Sequence, residues 1–232
     1  MQKLRRLLFR YTLWTLLVLT AVTLIIVVPF RWLNPPVSMV MIERWLSADD
    51  THFKLHHTWL SWRQIPKQAA LAVVASEDQR FPYHFGFDFD SILEAIQQRE
   101  EGGDLRGAST ISQQVARNVY LWTGRSWVRK GIEAWLTVFI EMIWGKQRIL
   151  EVYLNIAEWG NGIFGIEAAS EYYFGKHASQ LTPMQQALLA AALPNPLYFN
   201  PAHPDERMRA RALWDLQQQK RLGGIAWLAP LN

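Results

Sequence analysis

The sequence predicts a mainly α-helical protein, with one N-terminal transmembrane helix followed by a single domain. Two observations indicate this: an uncharged run of twenty residues near the N-terminus, and a series of segments with helical periodicity that glycine and proline separate. A third is that no pair of strand-like segments with a hairpin signal stands out. The 232 residues are enough to bury one sizeable core. The absence of cysteine excludes disulfides and thiolate metal sites.

The uncharged run extends from Tyr11 to Phe30, between Arg10 and Arg31. As a helix it would span roughly 30 Å, about the thickness of the hydrocarbon core of a membrane. The alternative is a cleaved signal peptide, but its apolar region would be shorter and small residues would follow it. Bulky residues follow here, which favours an uncleaved anchor over residues 11–31 after a basic tail at residues 1–10.

The positive charge is concentrated at the N-terminus. Five of the 24 basic residues and none of the acidic ones lie in residues 1–31, so the remaining 19 basic residues face 20 acidic ones. This distribution argues against a nucleic-acid-binding face, and by the positive-inside rule it keeps the N-terminus cytoplasmic and the domain outside. The twelve tryptophans are typical of membrane interfaces and large pockets, and Trp14 and Trp32 fit interfacial positions.

The segment after the anchor, residues 32–54, is predicted to be a linker with a short helix, entered through the turn Asn34-Pro35-Pro36. The main domain is expected over residues 55–203, and a C-terminal helix and tail over 204–232. Its first helix begins with Pro66 in the first turn and continues to Glu77, and a loop follows at residues 81–89.

Capping residues and periodicity predict the later helices in order. Ser109 or Thr110 can cap one helix, Ser126 can cap another, and Thr182 begins a capping box with proline at the first helical position. The predicted ranges are 90–99 (closed by Gly102-Gly103), 110–119, 127–144, 146–158, 166–174, 183–193 and 204–222.

The pair Glu77-Asp78 ends an apolar helix, and Phe81, His84 and Gly86 follow it closely. Carboxylates at this end of a helix face the negative end of the macrodipole, so helix stability does not account for them. A solvated helix end is the simpler interpretation of an isolated acidic pair. A pocket that needs a base is the alternative.

Two later segments suit an anionic ligand. Residues 107–118 run from glycine into a hydroxyl-rich helix start, where backbone N–H groups and hydroxyls can hold an anion, although an ordinary capped helix explains the spacing equally well. Arg129 and Glu133 are i,i+4 neighbours, which a surface ion pair of about 0.3–0.5 kcal/mol would explain. A carboxylate flanked by two cations beside large apolar residues also suits a phosphate-binding wall.

Taken together and in this order, five segments resemble the motifs of the peptidoglycan glycosyltransferase family. This family occurs as the first domain of bifunctional penicillin-binding proteins and as free monofunctional enzymes. The matching segments are Glu-Asp-x-x-Phe-x-x-His-x-Gly at 77–86, Gly-x-Ser-Thr-Ile-x-Gln-Gln at 107–114, Arg-Lys-x-x-Glu at 129–133, Ile-Leu-Glu-x-Tyr-Leu-Asn at 149–155, and Phe164-Gly165-Ile166-Glu167-Ala168-Ala169 through Tyr173-Phe174. The resemblance covers about residues 55–203.

The resemblance implies a lysozyme-like helical domain with a membrane-associated small lobe, located in the bacterial inner membrane. It implies polymerisation of lipid II into β-1,4 glycan strands, with inversion and release of undecaprenyl diphosphate. The sequence contains no Ser-x-x-Lys, the motif of the transpeptidase nucleophile, so we expect the monofunctional type. The implied partners are lipid II, the growing glycan chain, membrane lipid, and proteins of cell-wall synthesis or division.

The resemblance also implies roles for individual residues. Glu77 would be the general base, because a sugar hydroxyl needs a positioned base with a raised pKa. Glu133 would be the second catalytic carboxylate, organising the cations or a divalent ion such as Mg²⁺ or Mn²⁺ at the diphosphate. The expected substrate-binding residues are Phe81, His84, Ser109, Thr110, Gln113, Gln114, Arg117, Arg129 and Lys130. The expected structural residues are Asp78, Gly86, Glu151 and Asn155.

One position departs from the family pattern: Arg117 stands where lysine is usual. Arginine binds phosphate as a planar fork and lysine as a point charge, so the charge is kept and the geometry changes. The aromatic loop 81–89 and the tryptophan-rich segment 121–144 are the predicted lipid contacts. In particular, charged replacements of Trp135 or Phe139 are expected to loosen membrane association before they unfold the domain.

Two other functional classes remain as alternatives. A lytic enzyme on finished glycan would need a carboxylic acid to protonate the leaving sugar, and would have no use for several cations near the site. A membrane scaffold without catalytic activity would not depend on Glu77.

Overall fold

The computed structural model describes residues 2–48, 53–100, 109–124 and 126–231. In these ranges the chain forms ten α-helices and one small sheet, so the predicted mainly helical fold is confirmed. The predicted helix end at Gly102-Gly103 lies outside the described residues, as do Gly107 and Ala108 of the second motif.

The helices, in chain order, are α1 Gln2–Val27, α2 Met39–Leu46, α3 Lys67–Glu77, α4 Phe89–Glu100, α5 Ile111–Tyr120, α6 Trp127–Trp144, α7 Lys146–Ile156, α8 Ile166–Phe174, α9 Pro183–Ala192 and α10 Glu206–Arg221. The strands are β1 His56–His57, β2 Glu158–Gly160 and β3 Ile163–Phe164. The predicted caps Thr110, Ser126 and Thr182 each accept a backbone hydrogen bond at the start of α5, α6 and α9.

The sheet was not predicted. β3 lies between β1, to which it is parallel, and β2, to which it is antiparallel. Asn161-Gly162 connects β2 and β3, and Gly162 has a φ of 74°, which a side chain would disfavour. Strands of two or three residues are too short to show an alternating pattern, which is why the sequence analysis missed them.

Helix α1 and the 3-10 turn that follows it, up to Arg31, are long and apolar enough to cross a membrane. The helix begins at Gln2, so residues 2–10, predicted as a tail, continue the helix. Its C-terminal end is bonded to the domain. Trp135 Nε1 donates to Thr23 Oγ1 (2.9 Å), and Trp144 Nε1 donates to the carbonyl oxygen of Val27 (2.8 Å). These bonds fix the end of α1 on α6.

Helix α3 lies in the middle of the core. Every residue from Ala69 to Ala75 is buried, so the helix has no polar face. Its neighbours are α9, α10 and the 3-10 segment Gly224–Leu231. Small side chains allow these helices to approach closely, and the packing fixes the position of the C-terminal end of α3.

Helix α10 belongs to this packing. It lies across α9 and α3, although the predicted boundary at residue 203 set it apart from the main domain. Its Met208 and Ala212 are buried against α9.

Asn155 and Glu151 connect α7 to the segment before α3. Asn155 Oδ1 accepts from Leu60 N (2.7 Å), and its Nδ2 donates to Leu60 O (2.8 Å). Glu151 Oε1 accepts from Trp62 N (3.1 Å) and its Oε2 pairs with Arg148 (3.1 Å). Both side chains therefore have the contacts of scaffold residues.

Asn155→Ala should lower the free energy of unfolding by about 2–3 kcal/mol, because it leaves both backbone groups of Leu60 without their partners in a buried place. Denaturant unfolding of the detergent-solubilised protein would measure this. Gln217→Ala, which removes an exposed amide from α10, is the control and should change little. An Asn155→Ala protein as stable as its parent would contradict the scaffold role.

Candidate active site

Glu77 is the last residue of α3 and is partly buried. Gln114 Nε2 donates a hydrogen bond to Glu77 Oε2 (3.0 Å). Burial raises the pKa of Glu77, while the bond from Gln114 and the charges of Arg211 and Arg117 act in the opposite direction. Glu77 is thus a carboxylate whose proton affinity exceeds that of an ordinary glutamate, which suits a general base.

Tyr153, on α7, orients Gln114. Its hydroxyl donates to Gln114 Oε1 (3.1 Å), so the Gln114 amide presents its N–H side to Glu77. Tyr153 is fully buried, and burial raises its pKa well above the usual value, so the hydroxyl keeps its proton. Sequence analysis did not select Tyr153, although it lies in the fourth motif and carries a hydroxyl on an otherwise apolar face.

Asp78 binds His84 and the start of α5. His84 Nε2 lies 2.9 Å from Asp78 Oδ1, and Ile111 N donates to Asp78 Oδ2 (2.9 Å). Both side chains are almost completely buried. The two residues therefore connect the loop after α3 to α5, which agrees with a structural role for Asp78. His84, predicted to bind substrate, faces the same buried interior.

Lys146 and Glu141 extend this network beneath the loop. Lys146 Nζ donates to Glu141 Oε1 (2.6 Å) and lies 3.5 Å from His84 Nδ1. Ser112 donates its hydroxyl proton to the same Glu141 oxygen. Burial lowers the pKa of Lys146, and the charge of Glu141 opposes this. Neither residue was predicted, because each lies in a segment whose sequence shows only an amphipathic helix.

Phe81 was predicted to contact substrate, and the structure contradicts this. Its side chain is completely buried and packs edge-on against His84, and the centre of its ring lies 4.4 Å from Lys146 Nζ. Phe81 therefore supports the loop from inside.

Gly86 closes the loop. It has a φ of 80°, and a Cβ there would lie 2.8 Å from Thr137 Cγ2. Its carbonyl oxygen accepts from Thr110 Oγ1 (2.7 Å). Only glycine suits both the backbone angle and the space, which agrees with the predicted structural role.

A second charged group surrounds Glu133 on α6. The Glu133 side chain is 1% exposed, and Arg129 Nη1 donates to its Oε2 (2.7 Å). Lys130 Nζ donates to the other oxygen, Oε1, and to Ser109 Oγ (3.3 Å). One carboxylate thus holds two cations in place, and the group retains a net positive charge.

Lys130 is the more accessible of these cations, with 39% of its side chain exposed, whereas Arg129 is buried and also donates to Gly124 O (2.6 Å). Both carboxylate oxygens of Glu133 accept from a cation, and the two positive charges beside the carboxylate would repel a metal ion. The residues around Glu133 therefore do not fit a Mg²⁺ or Mn²⁺ ion held by the protein.

The described residues bring together one other set of potential metal ligands, Glu167, Glu171 and His177 on and after α8. His177 Nδ1 lies 2.6 Å from Glu167 Oε1, and Ala178 N donates to Glu167 Oε2 (2.9 Å). These contacts make Glu167 part of the local structure after α8.

Thr110 and Gln113 form the capping box of α5. Thr110 Oγ1 accepts from Gln113 N (3.2 Å), and Gln113 Oε1 accepts from Thr110 N (3.0 Å). Both are buried, and the Thr110 hydroxyl oxygen and the Gln113 side-chain carbonyl oxygen are committed to the helix start. Among the residues predicted to bind substrate, those whose side chains are at least partly accessible are Ser109, Gln114, Arg117 and Lys130.

Helix α5 connects Glu77 with the charged group around Glu133. Ser109, just before its start, contacts Lys130, and Gln114, about one turn into the helix, contacts Glu77. Arg117 lies another turn along, and its charge acts on Glu77 and Tyr153. The binding of diphosphate by Arg117, together with Arg129 and Lys130, stays a prediction.

A family model described as Transglycosylase matches residues 46–220. Among similar proteins is a biosynthetic peptidoglycan transglycosylase of Pseudomonas aeruginosa strain PAO1, which is 49% identical over 234 residues, covering 100% of this chain and 99% of that protein. A protein of the same name from Xylella fastidiosa strain M23 is 50% identical, and the match covers 87% of this chain and 84% of that protein. Another from Stutzerimonas stutzeri is 49% identical, and the match covers 92% of this chain and 89% of that protein.

These similarities confirm the family that the five motifs indicated and the glycosyltransferase enzyme class that follows from it. The matched region contains Glu77, Glu133 and all of α10 except its last residue, Arg221. The chain belongs to the transglycosylase family.

Proposed function

We propose that this protein polymerises lipid II into β-1,4 glycan strands and releases undecaprenyl diphosphate, without transpeptidase activity. The observation that carries the proposal is the arrangement about α5. Glu77, a carboxylate of raised proton affinity, is bonded to Gln114 about one turn into this helix. Lys130, which belongs to the net positive group around Glu133, is bonded to Ser109 just before its start. The first suits the activation of a hydroxyl, and the second suits a diphosphate leaving group.

In the proposed step, Glu77 removes the proton from the 4-hydroxyl of the acceptor sugar. The hydroxyl oxygen forms a bond to C1 of the donor sugar as the bond from C1 to the diphosphate oxygen breaks. The diphosphate leaves with the bonding electrons, and the proton remains on Glu77. Because attack comes from the side opposite the leaving group, the configuration at C1 is inverted.

The donor side needs cations more than it needs an acid, because diphosphate leaves as an anion. Lys130 is the partly exposed cation, and Arg129 adds a second positive charge behind it. Glu133 holds both in position before substrate binds, which lowers the cost of reorganisation in the transition state. A lytic enzyme would have no use for this group, so it favours the synthetic reaction.

The substrate is a lipid, and the proposed location is the bacterial inner membrane, with α1 as a single-pass anchor and the N-terminus in the cytoplasm. The contacts of α1 with α6 support this, because α6 carries Arg129, Lys130 and Glu133. An anchor bonded to this helix would hold these three residues, the cation group, at a constant distance from the membrane surface.

Several exposed apolar residues on the same part of the domain are proposed to contact lipid. Trp122 lines a shallow apolar pocket with Met39, Ile42 and Leu46 of α2, and Trp127 at the start of α6 is 92% exposed. Trp135 and Phe139, predicted for this role, differ from them. Trp135 bonds to α1, and Phe139 is only 9% exposed and packs on Trp135.

Glu77→Gln should reduce polymerisation of lipid II by about 10²–10⁴-fold, because the amide cannot accept the hydroxyl proton. The measurement is glycan formation from lipid II in detergent, with thermal unfolding to confirm an intact fold. Glu206→Gln, an exposed change of the same chemistry, should retain the parent rate. Polymerisation by Glu77→Gln at the parent rate would reject this base, and clearing of preformed murein by the parent would indicate a lytic enzyme.

Lys130→Gln should lower kcat by about 10²–10³-fold, since it removes a charged donor aimed at the leaving group. The exposed Lys220→Gln serves as its matched control. Steady-state kinetics with lipid II would separate the effect on kcat from that on KM. An unchanged kcat would mean that the cation group does not act on the leaving diphosphate.

Trp127→Glu should weaken binding to anionic vesicles without changing the melting temperature, because the side chain is exposed and makes little packing contact. Phe139→Glu should instead lower the melting temperature, since it places a charge in the core. Vesicle co-sedimentation and thermal unfolding of the same preparations would distinguish the two. Unchanged vesicle binding by Trp127→Glu would remove it from the lipid-contacting surface.

A further inference from the structure

Helix α10 presents a stripe of polar residues at i, i+4 and i+8 to the core: Arg211, Asp215 and Gln219. Asp215 is completely buried and Gln219 nearly so. Gln219 Nε2 donates to Asp215 Oδ2 (2.7 Å), and its Oε1 accepts from Gln68 Nε2 near the start of α3. The stripe therefore faces the helix that ends in Glu77.

The contact between Gln68 and Gln219 sets the register of the two helices. Glu77 lies nine residues after Gln68, about 13 Å along α3, and Arg211 lies eight residues before Gln219, about 12 Å along α10. Where two helices pack antiparallel, these distances bring Arg211 to the level of Glu77. The charge of Arg211 does act on Glu77, and that of Glu77 acts on Asp215, so the three groups are close in space.

Two atoms of the stripe lack hydrogen-bond partners. Arg211 Nε and Asp215 Oδ1 are buried, and within the described part of the chain neither has one. An unsatisfied buried polar atom is costly, and apolar residues would join α10 to α3 and α9 without that cost. The fold alone therefore does not explain why charged groups occupy these positions.

We propose that Arg211 is a positioning residue for the general base, which sets the electrostatic environment behind the Glu77 carboxylate. The proposal rests on the proposed function, since it assigns Arg211 to the base of that reaction. Arg211 stabilises the ionised form of Glu77, and the ionised Glu77 in turn favours the protonated form of Asp215.

The groups that face Glu77 come from every element around it. They are Asp78 beside it, Gln114 and Arg117 from α5, Tyr153 from α7, and Arg211 and Asp215 from α10. Asp215 faces Glu77 and Arg211, with Gln219 as its hydrogen-bond donor. Burial raises the pKa of Asp215 to about 7, and the charge of the ionised Glu77 acts in the same direction. Asp215 is therefore largely protonated on the acidic side of neutral pH.

The two positions give different predictions. Arg211→Gln should move the acidic limb of the kcat/KM profile to higher pH by about 0.5–1 unit, which is a three- to tenfold loss at a pH on that limb. Asp215→Asn should leave the limb close to the parent's, because Asp215 is already protonated, and therefore uncharged, below about pH 7. Arg211→Lys retains the charge and should restore the parent profile. A loss of scaffold contacts would lower activity at all pH values and move neither limb.

The experiment measures lipid II polymerisation between pH 5 and 9 for the full-length parent and these three variants. Arg209→Gln and Glu206→Gln, exposed on the same helix, are the matched controls for charge. An acidic limb in Arg211→Gln that coincides with the parent's, or an equal shift in Arg211→Lys, overturns the proposal. If Asp215→Asn fails to fold, the comparison of Arg211→Gln with Arg211→Lys decides it.

A second readout does not depend on activity. In protein labelled with ¹³C at the glutamate side-chain carboxyl, the Glu77 resonance is identified by its loss in Glu77→Gln, and its titration is followed by NMR in the parent and the variants. A midpoint that rises in Arg211→Gln and returns toward the parent value in Arg211→Lys supports the proposal, and an unchanged midpoint in Arg211→Gln overturns it. A parent that does not polymerise lipid II would reject the proposed function, while this titration would still decide whether α10 acts on Glu77.

Discussion

The site depends on one constraint: a carboxylate is held at the end of a helix that is buried on every side. Ala69 to Ala75 of α3 are all in the core, so the helix cannot rotate or shift without disturbing α9 and α10. The position of Glu77 follows from this packing. The same burial withdraws water from the carboxylate and raises its proton affinity, so one structural feature both places the base and adjusts it.

Helix α5 then relates the base to the cation group. Its capping box and the bond from Thr110 to Gly86 hold its start against the loop after α3. Gln114 contacts the base, and Ser109 contacts Lys130. The anchor helix is bonded to α6, which carries that same cation group. A short series of direct contacts therefore links α1 to α6, α6 to α5, and α5 to the base.

Much of this could be predicted from the sequence where the signal is local. Caps, proline positions and apolar periodicity placed the helices from α3 onward to within a few residues, and the order of the motifs indicated the family. The sheet was missed because its strands are too short for a pattern. Phe81 and Phe139 were assigned to substrate or lipid, because an aromatic residue near a polar motif looks the same in sequence whether it faces the core or the solvent.

The sequence by itself determined the kinds of residue at the site, their spacing, and the long apolar helix that precedes them. Only the tertiary structure decided which of these residues have free polar groups, because that depends on contacts between distant segments. Thr110 and Gln113 are used in a cap, and Glu133 is paired on both oxygens. Asp215, 138 residues from Glu77, enters its electrostatic surroundings through the packing of α10 on α3. No local pattern encodes that packing, since it arises from the fit of whole helix faces.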